Sequence, residues 1–337
     1  MSLALWDGAG KLGVVDIEWD CIVVGGGAAG LSAALVLGRA RRRTLVVDEG
    51  KQSNLAAHGI GGLLGHDGRP PAQLYEAGRA ELAAYPSVLV RRGEVTSGHA
   101  DGDCFVLESS DGSRERTRRV LLATGMEYRP PEIPGLDALW GRSAFHCPFC
   151  HGWEVRDQPL AVLADGERAM HMALMLRGWT EDVVVLTNGP AGLDAVQRGQ
   201  LAAAGVAVEE RPVAEFISHA GELDAVAFAD GAQLARRGVL VATTMHQRSD
   251  LAAQLSVAAA PPGPLAADAI TIDPFHRTSV PGVFAAGDLS VQMPQVAAAI
   301  AAGSLAAAAV VQSLLADDVG LPVPPWPTQK EDIHAHA

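Results

Sequence analysis

Short apolar runs, glycine-rich turns and longer apolar stretches follow one another along this chain in a repeating order. The clearest instance spans residues 20–48. Asp20-Cys21-Ile22-Val23-Val24 reads as a short buried strand, Gly25 to Gly30 as a turn, and Leu31 to Arg39 as an apolar helix. Thr44 to Val47 reads as a second strand ending at Asp48. A short, continuous apolar run bounded by such turns marks a strand covered on both faces, as in a parallel sheet. Further strands are expected near Cys104–Glu108 and Val120–Ala123, and the Pro-rich run Arg129 to Gly135 reads as a hinge. Beyond it Pro159–Asp165, Met170–Arg177 and Asp182–Leu186 repeat strand, helix and strand. Gly282 to Asp288 then precedes a long alanine-rich helix. The tail Leu321–Ala337 is Pro-rich and polar, and His334 and His336 read as tail residues rather than metal ligands. The pattern predicts an α/β chain with two Rossmann-like nucleotide-binding domains.

Composition narrows this picture. A chain of 337 residues can hold two domains with substantial cores. It is 48% hydrophobic yet 5% aromatic, so small residues dominate, as where helices pack closely on a sheet. With 26 basic against 39 acidic residues the formal charge is -13, which argues against nucleic-acid and anionic-membrane partners. The start has no basic segment followed by an apolar one, so no signal peptide is expected and the location is expected to be cytoplasmic. The longest apolar run, Val296 to Leu315, is broken by Gly303, Ser304, Gln312 and Ser313 and reads as a buried helix. Four cysteines are too few for a disulfide scaffold, and a Cys-x-x-Cys pair in such a protein is catalytic or metal-binding.

Candidate chemistry begins at Gly25-x-Gly27-x-x-Gly30, which follows a strand, opens a helix through Ala28 and Ala29, and is answered by Asp48. There Gly25 permits the tight turn, Gly27 lets the backbone approach a pyrophosphate, and Gly30 allows close helix packing. Asp48, with Glu49 as the alternative, would accept from a ribose hydroxyl. The second feature is His146-Cys147-Pro148-Phe149-Cys150-His151-Gly152. Cysteines at this spacing can close a readily reduced disulfide whose thiolate is stabilised. A zinc site is the competing use, but Cys21 and Cys104 are isolated and adjacent His146 and Cys147 are poorly spaced for one ion, so no metal is expected.

Two more segments resemble flavoproteins that bind two nucleotides. Leu121-Leu122-Ala123-Thr124-Gly125 resembles the strand placed near FAD, and Thr278 to Asp288 resembles the C-terminal FAD motif, with Gly287 and Asp288 at its end. The helix after it begins near Gln295 and Val296, whose amides can point at the flavin ring. Over nearly its full length the chain resembles the low-molecular-weight thioredoxin reductase family, because Cys147 and Cys150 fall in the inserted domain. That resemblance implies a discontinuous FAD domain over 1–128 and 247–337, an inserted NAD(P)-binding-like domain over 129–246, and a homodimer. It makes Cys147 the interchange thiol and Cys150 the thiol facing the flavin.

Three departures from the family pattern stand out. His151 takes the place of the usual aspartate after the second cysteine, with His146 on the other flank. The nicotinamide fingerprint reads Ala164-Asp165-Gly166-Glu167-Arg168-Ala169, its first glycine replaced. The basic cluster for the NADPH 2′-phosphate is missing from Leu186-Thr187-Asn188-Gly189, so NADP or NAD would rest on Gly166 and Ala169. The Cys-Pro-Phe-Cys-His-Gly-Trp-Glu run is most similar to the oxidases that form disulfides in gliotoxin-, holomycin- and romidepsin-type natural products. The expected function is FAD-dependent oxidation of a small-molecule dithiol, with dioxygen or NADP as acceptor and His151, or else His146, as base. NADPH-dependent reduction of thioredoxin is the alternative, and a flavin-bound redox sensor the third reading. Phe145, Phe149, Trp153 and Trp179 either line an apolar pocket or pack the inserted domain.

Overall fold

A computed structural model describes residues 18–290 and 294–327; His334 and His336 lie outside the described residues. The chain divides into two compact units. One comprises Met1–Gln52, Tyr75–Glu127 and His246–Ala337, the other Ser53–Leu74 and Tyr128–Met245. Strands Met126–Arg129 and Thr244–Gln247, at the two crossings, pair as a two-stranded sheet.

The first unit is built on a seven-stranded sheet in the order Val88–Arg92, Thr44–Asp48, Glu18–Val24, Arg114–Leu122, Cys104–Ser109, Val95–Asp101, with Val283–Ala285 also pairing to Arg114–Leu122. Cys21 to Val24 lie parallel to Thr44–Val47 on one side and Arg119–Leu122 on the other. Both sides of this central strand are therefore paired, and its apolar run is buried on both faces. The helix Ala28–Arg39 covers one face with Ala33, Ala34 and Leu37. Against it lies Val296–Val319, burying Ala302, Gly303, Ala306, Ala307, Val310 and Leu314. Small residues bring the two helices together: a Cβ built on Gly303 would lie 2.0 Å from Ala29 O. Ser32 Oγ adds a hydrogen bond to Ile300 O at 2.8 Å. Among the described residues Val296–Val319 is the one helix long and apolar enough to cross a membrane, and here its small-residue face is core.

The second unit carries a five-stranded parallel sheet in the order Ala207–Glu209, Val183–Leu186, Leu160–Leu163, Gly238–Val241, Ala144–Phe145. The helix Gly166–Leu176 packs Ala169, Met172, Ala173 and Leu176 on one face. A three-stranded antiparallel sheet, Val213–His219, Glu222–Phe228 and Gln233–Ala235, covers the other with Phe216, Leu223, Val226 and Phe228. Both nucleotide-type helices begin earlier than their apolar runs suggest, at Ala28 and Gly166 rather than Leu31 and Met170. The extra residues are glycines, alanines and polar groups of the turn, which carry no helical periodicity. Residues 53–74 fall within the stretch expected to belong to the FAD domain, yet they group with the second unit. Glycines allow this: a Cβ on Gly61 would sit 2.6 Å from Cys150 O.

Candidate active site

In the first unit, three separate segments converge at one end of the sheet. Gly25 has φ +105°, and a Cβ there would lie 2.2 Å from Ala123 O, so the turn demands glycine twice over. A Cβ on Gly30 would lie 1.8 Å from Gly25 O, which lets the helix start press onto the turn. Gly27 is the N-cap of the Ala28 helix; it offers no capping side chain, and no acid stands in the first turn. The first intrahelical bond is Leu31 N–H to Gly27 O, leaving the amides of Ala28, Ala29 and Gly30 ahead of it. Such a helix start suits an anion.

Asp48 ends the neighbouring strand and is buried against this turn. Its Oδ1 accepts from Gly26 N–H at 3.0 Å and Gly50 N–H at 3.2 Å. Gln52 Nε2 donates to both of its oxygens at 3.1 Å and to Gly26 O at 3.3 Å. Glu49 instead pairs with Lys51. Gln52 was not anticipated, because nothing in its local pattern marks it; only the fold of the turn brings it to Asp48. Ala123 N–H donates to Val24 O at 2.8 Å, placing Thr124 and Gly125 (φ +67°) beside the turn's strand. Ala286 N–H donates to Leu122 O at 2.9 Å, and a Cβ on Gly287 would meet Ala29 Cβ at 3.0 Å. Asp288 opens a short 3-10 turn there. Gln295 is the N-cap of the long helix and Val296 its first residue.

In the second unit Cys147 and Cys150 are joined in a disulfide with Cα atoms 5.3 Å apart. Cys147 is extended (φ -130°, ψ 111°) and caps the helical turn Pro148–His151, with proline where its missing N–H costs nothing. Cys150 N–H and His151 N–H both reach Cys147 O at 3.2 Å. This single turn brings residues three apart onto one side, the geometry a short-range disulfide needs. Gly152 closes it: a Cβ there would meet Pro148 O at 2.5 Å and Trp179 Nε1 at 2.7 Å. Phe149 sets its ring edge against Trp179 at 5.4 Å.

The two histidines differ. His146 lies tilted against Tyr128 at 4.1 Å and stacked on Trp140 at 5.9 Å. Burial, with the nearby His151 ring, pushes its pKa down to about 4. His151 lies against Phe145 at 5.7 Å, and both of its ring nitrogens are buried without a hydrogen-bond partner. Burial lowers its pKa too; Glu154 and the backbone of Gly141 and Cys147 oppose the shift without closing a bond to either nitrogen. Both imidazoles are therefore neutral at pH 7. His151, next in sequence to Cys150, has in its neutral form one ring nitrogen able to take a proton.

Gly166 (φ +54°) starts the second nucleotide-type helix, and Ala169 is fully buried where that helix meets its sheet. The Gly166 amide donates to Ala191 O at 2.8 Å. Among the described residues no group of three or more His, Cys, Asp or Glu side chains could hold a metal ion, and Cys21 and Cys104 are buried thiols. Burial drives the Cys21 thiol far above its ordinary range.

The model of the pyridine nucleotide-disulphide oxidoreductase family matches residues 19–303. The chain belongs to that family. It is 31% identical over 312 residues to thioredoxin reductase tcpT of Claviceps purpurea, covering 88% of this chain and 95% of that one. Thioredoxin reductase sirT of Leptosphaeria maculans is 30% identical over 318 residues, at 89% and 96% coverage. Among solved structures, an oxidoreductase from Agrobacterium tumefaciens is 38% identical with TM-score 0.84, covering 89% of this chain and 99% of that one. HlmI is 38% identical with TM-score 0.85, at 90% and 94% coverage. The chain is thus a thioredoxin reductase-like disulfide oxidoreductase, with the α/β architecture of that group, in a family that binds FAD and uses NAD(P)H. Its substrates belong to thiol–disulfide chemistry.

Proposed function

We propose that this enzyme oxidises a small, apolar dithiol to its disulfide through Cys147 and Cys150. The observation that carries the reading is His151, a neutral buried imidazole with two unpaired nitrogens beside the redox pair. The surface around the pair supports an apolar substrate: Leu64 is 98%, Phe149 56% and Trp153 65% exposed within the same unit. Gly61, three residues from Leu64 in the chain, backs onto Cys150 O.

The chemistry follows from these groups. A ring nitrogen of His151 takes the proton of the incoming thiol. The resulting thiolate attacks Cys147 Sγ, forming a mixed disulfide and releasing Cys150 as thiolate. The second substrate thiol, giving its proton to solvent, then attacks the substrate sulfur bonded to Cys147; the product disulfide forms, Cys147 leaves as thiolate, and the pair is left holding two electrons. Bound FAD supplies the two-electron acceptor that this pair requires. In the first unit the cap-free Gly27 helix start and the buried Asp48 fit its pyrophosphate and ribose. We assign Gly25, Gly27, Ala28, Ala29, Gly30, Asp48, Thr124, Gly125, Gly287, Asp288, Gln295 and Val296 to that cofactor. With dioxygen as final acceptor, one dithiol and one dioxygen give one disulfide and one hydrogen peroxide; NADP is the other candidate. A homodimer in the cytoplasm is the setting we expect.

The names of the relatives favour a second reading, NADPH-driven reduction of thioredoxin. Steady-state rates in both directions separate the two. Small apolar dithiols should be oxidised at rates at least tenfold above NADPH-driven thioredoxin reduction, and Cys147→Ser should abolish the oxidation. Efficient thioredoxin reduction with negligible oxidation of any small dithiol would reject the proposal.

A further inference from the structure

The start of the Gly166 helix is where a second dinucleotide would place its pyrophosphate, and a loop of the chain already pairs with its first amide. Gly166 N–H already donates to Ala191 O at 2.8 Å. A Cβ on Gly192 would pass 3.8 Å from the Gly166 Cα, so the loop backbone runs in van der Waals range of the helix start. This loop, residues 187–193, is pinned along its length. Ala191 N–H donates to Glu210 Oε1 at 2.8 Å, and Arg198 holds the same oxygen at 2.9 Å. These donors keep the Glu210 carboxyl below its usual range. Thr187 Oγ1 donates to Gly189 O at 2.5 Å, and Val213 N–H to Asn188 Oδ1 at 2.8 Å. Ala191 and Leu193 are buried in the same apolar cluster as Ala169 and Met172. Just beyond, Asp194 and Gln197 cap the next helix reciprocally.

Charge acts in the same direction as packing. Asp165 is the N-cap of the Gly166 helix and Glu167 stands in its first turn. The first intrahelical bond there is Ala169 N–H to Asp165 O, so a pyrophosphate would find only the Glu167 and Arg168 amides ahead of it, with two carboxylates beside them. Arg168, the cation in that turn, donates to Thr243 O and is not aimed at the helix start.

We infer that the 187–193 loop closes the second unit to dinucleotides, so that neither NADPH nor NADH docks at Gly166. The closure concerns the electron acceptor and goes beyond the dithiol reading, which concerns the donor. Of the two acceptors it leaves dioxygen, which becomes hydrogen peroxide on taking two electrons and two protons from the dithiol. Calorimetric titration of the flavin-loaded protein with NADPH, and separately with NADH, tests it. No saturable binding is expected with Kd tighter than about 1 mM. The triple variant Asp165→Gly, Glu167→Asn, Glu210→Ala should gain at least roughly tenfold in affinity. Low-micromolar binding by the unaltered protein, or a flavin-loaded triple variant that gains nothing, overturns the inference. Should the variant not fold, hydrogen exchange of the unaltered protein decides. Slow exchange at residues 187–193, unchanged by NADPH, supports closure, while fast exchange or nucleotide-dependent protection rejects it. Dithiol turnover is measured on the same samples. Nucleotide binding with turnover intact removes only the closure, and absent turnover without nucleotide binding removes only the dithiol reading.

Discussion

The Gly25–Gly30 turn and the Ala164–Ala169 turn hold equivalent places in their sheets, each between a central parallel strand and the helix that follows it. Their chemistry diverges within a few residues. The first has glycine at the N-cap, no acid in its opening turn, and a buried aspartate held by Gly26, Gly50 and Gln52. The second has aspartate at the N-cap, glutamate in the opening turn, and a backbone carbonyl already on its glycine amide. The same strand–turn–helix topology thus carries no acid at the helix start in one unit, and two carboxylates with one amide already paired in the other. Topology alone does not confer ligand capacity; the donors left unpaired at the helix start do.

The largest effect expected from this contrast is at Gly30. A valine there would force its Cβ onto Gly25 O, a backbone atom that cannot move without opening the turn. Gly30→Val should lose the flavin completely, seen as the ratio of flavin to protein absorbance. A stoichiometrically yellow variant would show that the first turn is not the cofactor's seat. Next comes His151, in the other unit. His151→Ala should keep its flavin yet slow dithiol oxidation by about 10²-fold if the imidazole is the base. Because burial lowers its pKa, the rate in the unaltered enzyme should begin to decline at a lower pH than an ordinary histidine would give. A flat profile persisting in His151→Ala, with little rate loss, would move the base elsewhere.

A smaller effect concerns stability in acid. His146 is neutral in the fold with its pKa near 4, whereas the unfolded chain protonates near 6.5. The folded state therefore binds fewer protons in this window, and stability falls as pH drops from about 6.5 toward 4. The full loss is on the order of 3 kcal/mol at the acid end. Denaturant unfolding at pH 7 and pH 5 should show it, and His146→Phe should flatten that dependence. An unchanged pH slope in the variant would place the acid sensitivity in other groups.

Much of this contrast is legible in the sequence, and the exceptions share a cause. The Cys21–Asp48 unit and the Cys-x-x-Cys turn announce themselves because their signals are local: a short apolar run, a glycine spacing, a paired thiol motif. The substitution of Ala164 and the missing basic cluster already marked the second turn as altered. What closes it was not legible, since the Ala191 carbonyl comes from a loop 25 residues downstream of Gly166 and is positioned by Glu210 and Arg198. The placement of residues 53–74 was likewise set by long-range packing rather than by local period, whereas the antiparallel sheet Val213–Ala235 is built of sequence-adjacent hairpins.

The smallest effect completes the comparison at Gly166, the counterpart of the Gly27 position. Gly166 has φ +54°, but a Cβ built there meets nothing within 4 Å. Gly166→Ala therefore carries only the left-handed backbone penalty, roughly 1–2 kcal/mol. In a unit of this size that corresponds to a Tm lowered by about 2–8 °C. Flavin content and dithiol turnover should not change, because neither depends on that helix start. Had the second turn been a working dinucleotide site, the same methyl group would stand in the path of a pyrophosphate and would weaken nucleotide binding. Melting curves with and without 1 mM-range NADPH, on the order used for the titration, read both possibilities at once. A nucleotide-dependent rise in Tm that is present in the unaltered protein and lost in Gly166→Ala would make the two turns equals, and the contrast drawn between them would fall.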